Sequence, residues 1–265
     1  MNINFNFLLL GTSLSLIPNL LYAQCAETDC LKLGYTSLQK CDNGLKCPFG
    51  EYWACPKVEE KAVLGQCTGY AKNCSVGQIL NNDGSCSNNV VNGKTPIGVV
   101  VYISGDSDKC GYAMTASPIE KSIMWAPVYI NTGTFQSSNW QQAIKDFNVT
   151  DNMDAISQSA NFGTYPATYA AINYAPSSAP TSKGKWMLPT AGILNSLYTN
   201  LNTVNNAISK VGGTQLTGNN EHIWSSSEYS DLGVWVFWTD NSAGVSPSDK
   251  ANHMINHVVR PVLAF

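Results

Sequence analysis

The chain has three histidines, His222, His253 and His257, and they pose the first chemical question. His253 and His257 stand four residues apart in the run His-Met-Ile-Asn-His. On a helix that spacing presents two imidazoles to one metal, as in zinc proteases, where a glutamate after the first histidine is the general base. Met254 occupies that place, and the flanking sequence reads as loop or strand. The pair therefore reads as surface histidines with a contact role. Ser225, Ser226, Ser227 and Glu228 form a second set. A serine nucleophile needs a base and an orienting acid, and no Gly-x-Ser-x-Gly elbow occurs in the chain. Small hydroxyls beside a carboxylate read instead as groups that satisfy backbone in a tight loop. The expectation is no catalytic residue, no metal and no cofactor. The rival reading is a metal-dependent or hydrolytic enzyme built around His253, His257 and Glu228.

Trp224, Trp235 and Trp238 fall within fifteen residues of one another. An aromatic side chain of this size buries about 150–250 Å². In the run Gly233–Trp238, period-two alternation sends Trp235 and Phe237 to one face and Val234, Val236 and Trp238 to the other. The expectation is one core indole and one partly exposed. An exposed indole near Asp240 and Asn241 suits stacking on a sugar or anchoring a partner.

These residues need a scaffold, and 265 residues suffice for one or two domains with a sizeable core. Charged residues make up 12% and the net charge is −3, so no basic footprint invites nucleic acid. Residues 1–23 read as a secretory signal, an apolar run ending in Leu21-Tyr22-Ala23. No later segment is apolar and long enough to span a bilayer. Cys25, Cys30, Cys41, Cys47, Cys55, Cys67, Cys74 and Cys86 are eight of the nine cysteines, an even number in a short stretch, and they suggest a disulfide framework in an oxidising compartment. Zinc is disfavoured because no Cys-x-x-Cys pair occurs. Cys110 is left over, as a buried thiol, an inter-domain bridge partner or an intermolecular one. The expected location is secreted, periplasmic or cell-surface.

The domain boundaries read as signal 1–23, a cysteine-rich disulfide-stapled β unit over 24–92, and a second domain over 94–265. Gln78 to Cys86 predicts a small hairpin through Asn82-Asp83-Gly84. Pro96–Ile103 predicts a strand. Trp140–Phe147 and Pro166–Tyr174 predict helices, and a third starts at a Thr190 cap and stops at Gly212-Gly213. Gly105–Lys109 and Thr150–Asp154 read as acidic turns. Gly233–Asp240 and His257–Phe265 predict strands. Strand, helices, then strands indicate an α+β domain.

Four stretches carry a resemblance: Gly184–Asn200, Ile223–Tyr229, Val234–Trp238 and Val258–Phe265. With the cysteine-rich segment before them, they resemble a bacterial secreted domain family with a C-type-lectin-like fold. That family is related to the variable proteins of diversity-generating retroelements and, more remotely, to formylglycine-generating enzymes. The resemblance implies two or three helices, mixed antiparallel sheets, a strand Pro96–Ile103 lying beside the strand that ends at Phe265, and a loop-rich ligand face between Trp224 and His257. Members usually carry Glu where this chain has Ile193, so a polar role there is lost. Sugar binding through calcium needs clustered carboxylate and amide oxygens, and the usual Glu-Pro-Asn or Gln-Pro-Asp triplet is missing.

Together these readings predict a secreted, non-catalytic, adhesin-like recognition protein for a glycan or cell-surface protein. Its expected contacts are Tyr229, Asp231, Trp238, Asp240, Asn241, Asp249, Asn252, His253 and Asn256, a paratope-like composition. A structural surface or pilus-tip component is a further alternative.

Overall fold

In the computed structural model the described residues are 45–46, 53–54, 62–67, 70–105, 110–127, 129, 131–159, 162–217, 220–240, 244–252 and 256–265. The signal segment, Cys25, Cys30, Cys41, Cys47, Cys55, Asn241 and His253 lie outside them. The chain divides into two compact units, residues 1–60 and 61–265. In the first, β1 (Leu45–Lys46) pairs antiparallel with β2 (Trp53–Ala54).

The second unit opens with the expected hairpin. β3 (Ile79–Asn81) pairs with β4 (Cys86–Ser87), and the Cys74–Cys86 disulfide staples it. Gly84 makes its turn at φ +80°, where a Cβ would collide with the Ala62 carbonyl. β3 also pairs with β5 (Pro96–Ile103), which pairs in turn with β6 (Gly111–Met114). Residues 62–92 are thus continuous with the sheet that follows. The break lies after residue 60 and not near residue 93, because the buried Ile79 and Leu80 pair with Val99 and Gly98 of β5. The cysteine expectation needs the same correction. Of the roles open to Cys110, that of a bridge partner between the expected 24–92 and 94–265 segments is the one found: it bonds Cys67, 43 positions away, so the other eight cysteines do not pair only among themselves. Parity along the sequence suggested a self-contained set of eight, but sheet pairing carries Cys110 back to the earlier segment.

Beyond β7 (Glu120–Lys121) come α1 (Trp140–Ala143), α2 (Val149–Gln158), α3 (Pro166–Asn173), β8 (Trp186–Met187), α4 (Ala191–Thr199) and α5 (Leu201–Lys210). Five strands close the chain: β9 (His222–Glu228), β10 (Gly233–Trp238), β11 (Gly244–Asp249), β12 (His257–Val259) and β13 (Val262–Ala264). Two sheets result: a mixed one in the order β11-β10-β9-β12-β7, with β9 and β12 parallel, and an antiparallel one in the order β4-β3-β5-β6-β13-β8. The architecture is α+β, with five α-helices among the described residues where two or three were expected. The additional α2 covers Thr150–Asp154, read as a turn. Val149, Met153 and Ile156 all face inward at helical spacing, and this apolar stripe outweighs the two aspartates.

Thr190 caps α4 by accepting from Ile193 N–H at 3.4 Å. The helix expected to run on to Gly212 breaks at Asn200, whose side chain donates back to the Ser196 carbonyl at 2.9 Å. The expected helix at Trp140 stops at Ala143, its buried residue, and leaves Trp140 47% exposed. β5 does not lie beside the last strand, because β6 separates it from β13. The stretch His257–Phe265 is two strands in two sheets. Pro261, which has no N–H to donate, stands between them and ends the first ladder.

The alternation of β10 is as expected. Trp235 and Phe237 enter one core with Ile193, Leu194, Leu197 and Val204. Val234, Val236 and the partly buried Trp238 meet the other, with Trp224, Trp125 and Ile156. A third core, with Trp186 and Phe265, covers the far side of the six-stranded sheet.

Candidate functional site

Ser225, Ser226, Ser227 and Glu228 are fully buried and lie in β9, not in a loop. Ser227 Oγ donates to Asp146 Oδ2 at 2.6 Å and accepts from Ala191 N–H at 2.8 Å. Asn152 Nδ2 donates to Asp146 Oδ2 at 2.8 Å, and its Oδ1 accepts from Phe135 N–H at 2.9 Å. Ser226 N–H donates to the Pro189 carbonyl at 2.8 Å. The serines therefore tie β9 to the start of α4 and to α2.

Glu228 is the hub at the far end of the same strand. Its Oε1 accepts from Lys250 Nζ at 2.8 Å and from Thr132 N–H and Oγ1 at 3.1 and 2.9 Å. The Lys250 ammonium also sits 5.0 Å from the centre of the Trp125 ring. Glu228 N–H donates to Phe135 C=O, and Ser137 N–H donates to Glu228 C=O. Trp235 Nε1 donates to the Ser137 carbonyl at 3.0 Å. The loop before α1 is thereby pinned from below by buried groups.

Above this floor the turn from β9 to β10 opens onto solvent. A shallow groove of about 640 Å³ is lined by Gln136, Ser137, Ser138, Tyr229, Asp231 and Leu232. Leu232 at its tip is 60% exposed, and Tyr129 nearby is 49% exposed. Gln136 Nε2 donates to Asp231 Oδ1 at 3.0 Å, and Tyr129 Oη donates to Asp249 Oδ2 at 3.2 Å. Tyr229 stands edge-on to Trp235, centroids 5.3 Å apart.

Among the described residues the expected contacts do not share one face. Gly233 pairs with Asp249 and Trp238 with Gly244, so Tyr229, Asp231 and Asp249 lie at one end of β10, and Trp238 and Asp240 at the other. Five strand steps, about 17 Å, separate the two ends. Asn252 belongs to the first end, donating its N–H to the Asp249 carbonyl at 3.1 Å. Asn256 belongs to the second, where its carbonyl accepts from His222 N–H at 2.7 Å. Sequence reasoning missed Tyr129, Gln136, Ser137 and Leu232. Only Leu232, an apolar residue in a Ser-Asp-Leu-Gly turn, carried a local signal.

At the second end Trp238 stacks on His222, with centroids 4.0 Å apart and planes 27° apart. Burial lowers the proton affinity of His222, and the nearby Asp240 charge opposes that shift. A separate groove of about 280 Å³ lies by the Cys67–Cys110 bridge, lined in part by Tyr102, Tyr112 and Phe147. Burial pushes the Tyr112 phenol up to about 12, against a hydrogen bond with Thr150 that lowers it.

No family model matches this chain, and no curated protein matches it. Among solved structures it is similar to a fimbrial protein from Bacteroides ovatus ATCC 8483, at 16% sequence identity and a TM-score of 0.46, over 72% of this chain and 49% of that one. The chain thus spans about half the length of that protein.

Proposed function

We propose that the chain is a secreted, non-catalytic recognition protein that binds a glycan or protein ligand at the β9–β10 turn. The observation that carries this reading is the contrast between the groove and its floor. Leu232 and Tyr129 are exposed, while Glu228, Lys250 and Trp235 beneath them are buried and cross-linked. A rigid base with aromatic and apolar tips binds with little ordering cost. The buried serines, with hydroxyls committed to scaffold bonds, favour binding over acyl transfer. The Cys67–Cys110 and Cys74–Cys86 bridges suit an oxidising compartment. No helix among the described residues is long and apolar enough to cross a membrane. The C-type-lectin-like fold is part of this proposal, supported by the Trp-Ser-Ser-Ser-Glu and Val-Arg-Pro-Val-x-x-Phe motifs at residues 224–228 and 259–265.

Glycan-array and surface-protein screening of residues 24–265 tests the proposal. Saturable binding that survives a chelator and is lost in Leu232→Asp, with an unchanged Tm, is expected. Absence of saturable binding, or binding indifferent to Leu232→Asp and Tyr129→Ala, overturns it.

A further inference from the structure

His222 opens β9 at the end of the sheet opposite the groove, and its residue exposure is 7%. Among the described residues neither Nδ1 nor Nε2 has a hydrogen-bond partner, and neither has the buried Nε1 of Trp238. The imidazole lies flat on Trp238 and meets the edge of His257 at 4.8 Å and 85°. His257 in turn lies 4.4 Å from the Trp224 ring. A neutral imidazole can occupy such a stack through its ring faces. An imidazolium cannot do so without cost, because it carries a charge and two N–H donors that need acceptors.

We propose that the His222–Trp238 stack is an acid-sensitive latch: protonation of His222 breaks the stack and releases the Trp238 indole. The groups around the ring set the sign. From the end of β10, Asp240 favours the charged form. From β12, His257 presents a second ionisable ring, whose Nε2 is 2.9 Å from Ser248 Oγ of β11. Beside β9, Glu221 is already engaged by Arg260 at 2.9 Å and Lys121 at 3.3 Å. Burial outweighs Asp240, so the folded protein holds His222 below its ordinary value of 6.5. A folded-state value below the unfolded one gives stability that is present above about 6.5 and drains away as pH falls. Acid therefore opens the latch. The opening is local. Thr239 N–H still donates to Glu221 C=O and Glu221 N–H to Thr239 Oγ1, and Arg260 still holds Glu221.

The test is a pH titration of the full chain from about 8 to about 4, following the histidine side chains by NMR and the tryptophans by fluorescence. His222 is expected to titrate below its ordinary value, with a fluorescence step that tracks it. His222→Phe keeps a ring in the stack that cannot charge, and should abolish the step. Trp238→Phe should remove the fluorescence step and leave the His222 titration in place, which keeps the proposal testable if His222→Phe folds poorly. A His222 that titrates at or above its ordinary value overturns the latch. So does a step that persists in His222→Phe, or a protonation with no step.

Discussion

Lys250 Nζ lies 2.8 Å from Glu228 Oε1, and neither side chain is exposed to solvent. The two residues are 22 positions apart and meet because β9, β10 and β11 run antiparallel. The pair also gathers Thr132 and so anchors the loop that walls the proposed groove.

Breaking that pair by removing one partner leaves a buried charge. Lys250→Met is expected to cost about 3–5 kcal/mol in urea unfolding, and adding Glu228→Gln to recover part of the loss. Recovery in the double variant would show that the unpaired carboxylate, and not lost packing, sets the cost.

Ser227 separates scaffold from chemistry. Ser227→Ala removes the bonds to Asp146 and Ala191 and is expected to cost about 1–3 kcal/mol. Ligand affinity, measured where the variant is folded, should stay at the wild-type value. A hydrolytic activity lost in this variant would contradict the non-catalytic reading.

The two described bridges close loops of different length. On the chain-entropy estimate, Cys67→Ser with Cys110→Ser should lose about 4 kcal/mol and Cys74→Ser with Cys86→Ser about 3 kcal/mol. Denaturant melts of the two double variants, with m compared between them, check the order.

Tyr112 gives an alkaline signature. Its folded pKa of about 12 exceeds the ordinary 10.0, so the fold favours the neutral phenol. The stabilisation is present below pH 10 and is lost as pH rises towards 12. The full rise corresponds to about 2–3 kcal/mol. Tyr112→Phe should flatten the fall in stability over that range.

The sequence alone determined what depends on neighbouring residues. The β-branched run Pro96–Ile103 is a strand with those ends, and Thr190 caps the helix that follows it. The Asn-Asp-Gly turn closes the β3–β4 hairpin. Alternation put Trp235 and Trp238 on opposite faces, since side-chain period is a property of the strand itself. Helix α2 is also legible in sequence, since Val149, Met153 and Ile156 recur at helical spacing around the aspartates.

Tertiary structure decided everything that depends on which strands become neighbours. The Cys67–Cys110 pairing, the placing of β12 and β13 in different sheets, and the burial of Lys250 on Glu228 all join residues that no local pattern relates. The nine expected contacts looked contiguous in the chain. A β-strand is extended, however, so β10 carries neighbours in sequence to opposite ends of the sheet. Long-range pairing is a collective choice among many strand partners, and its outcome is set by the closed core and not by any single segment.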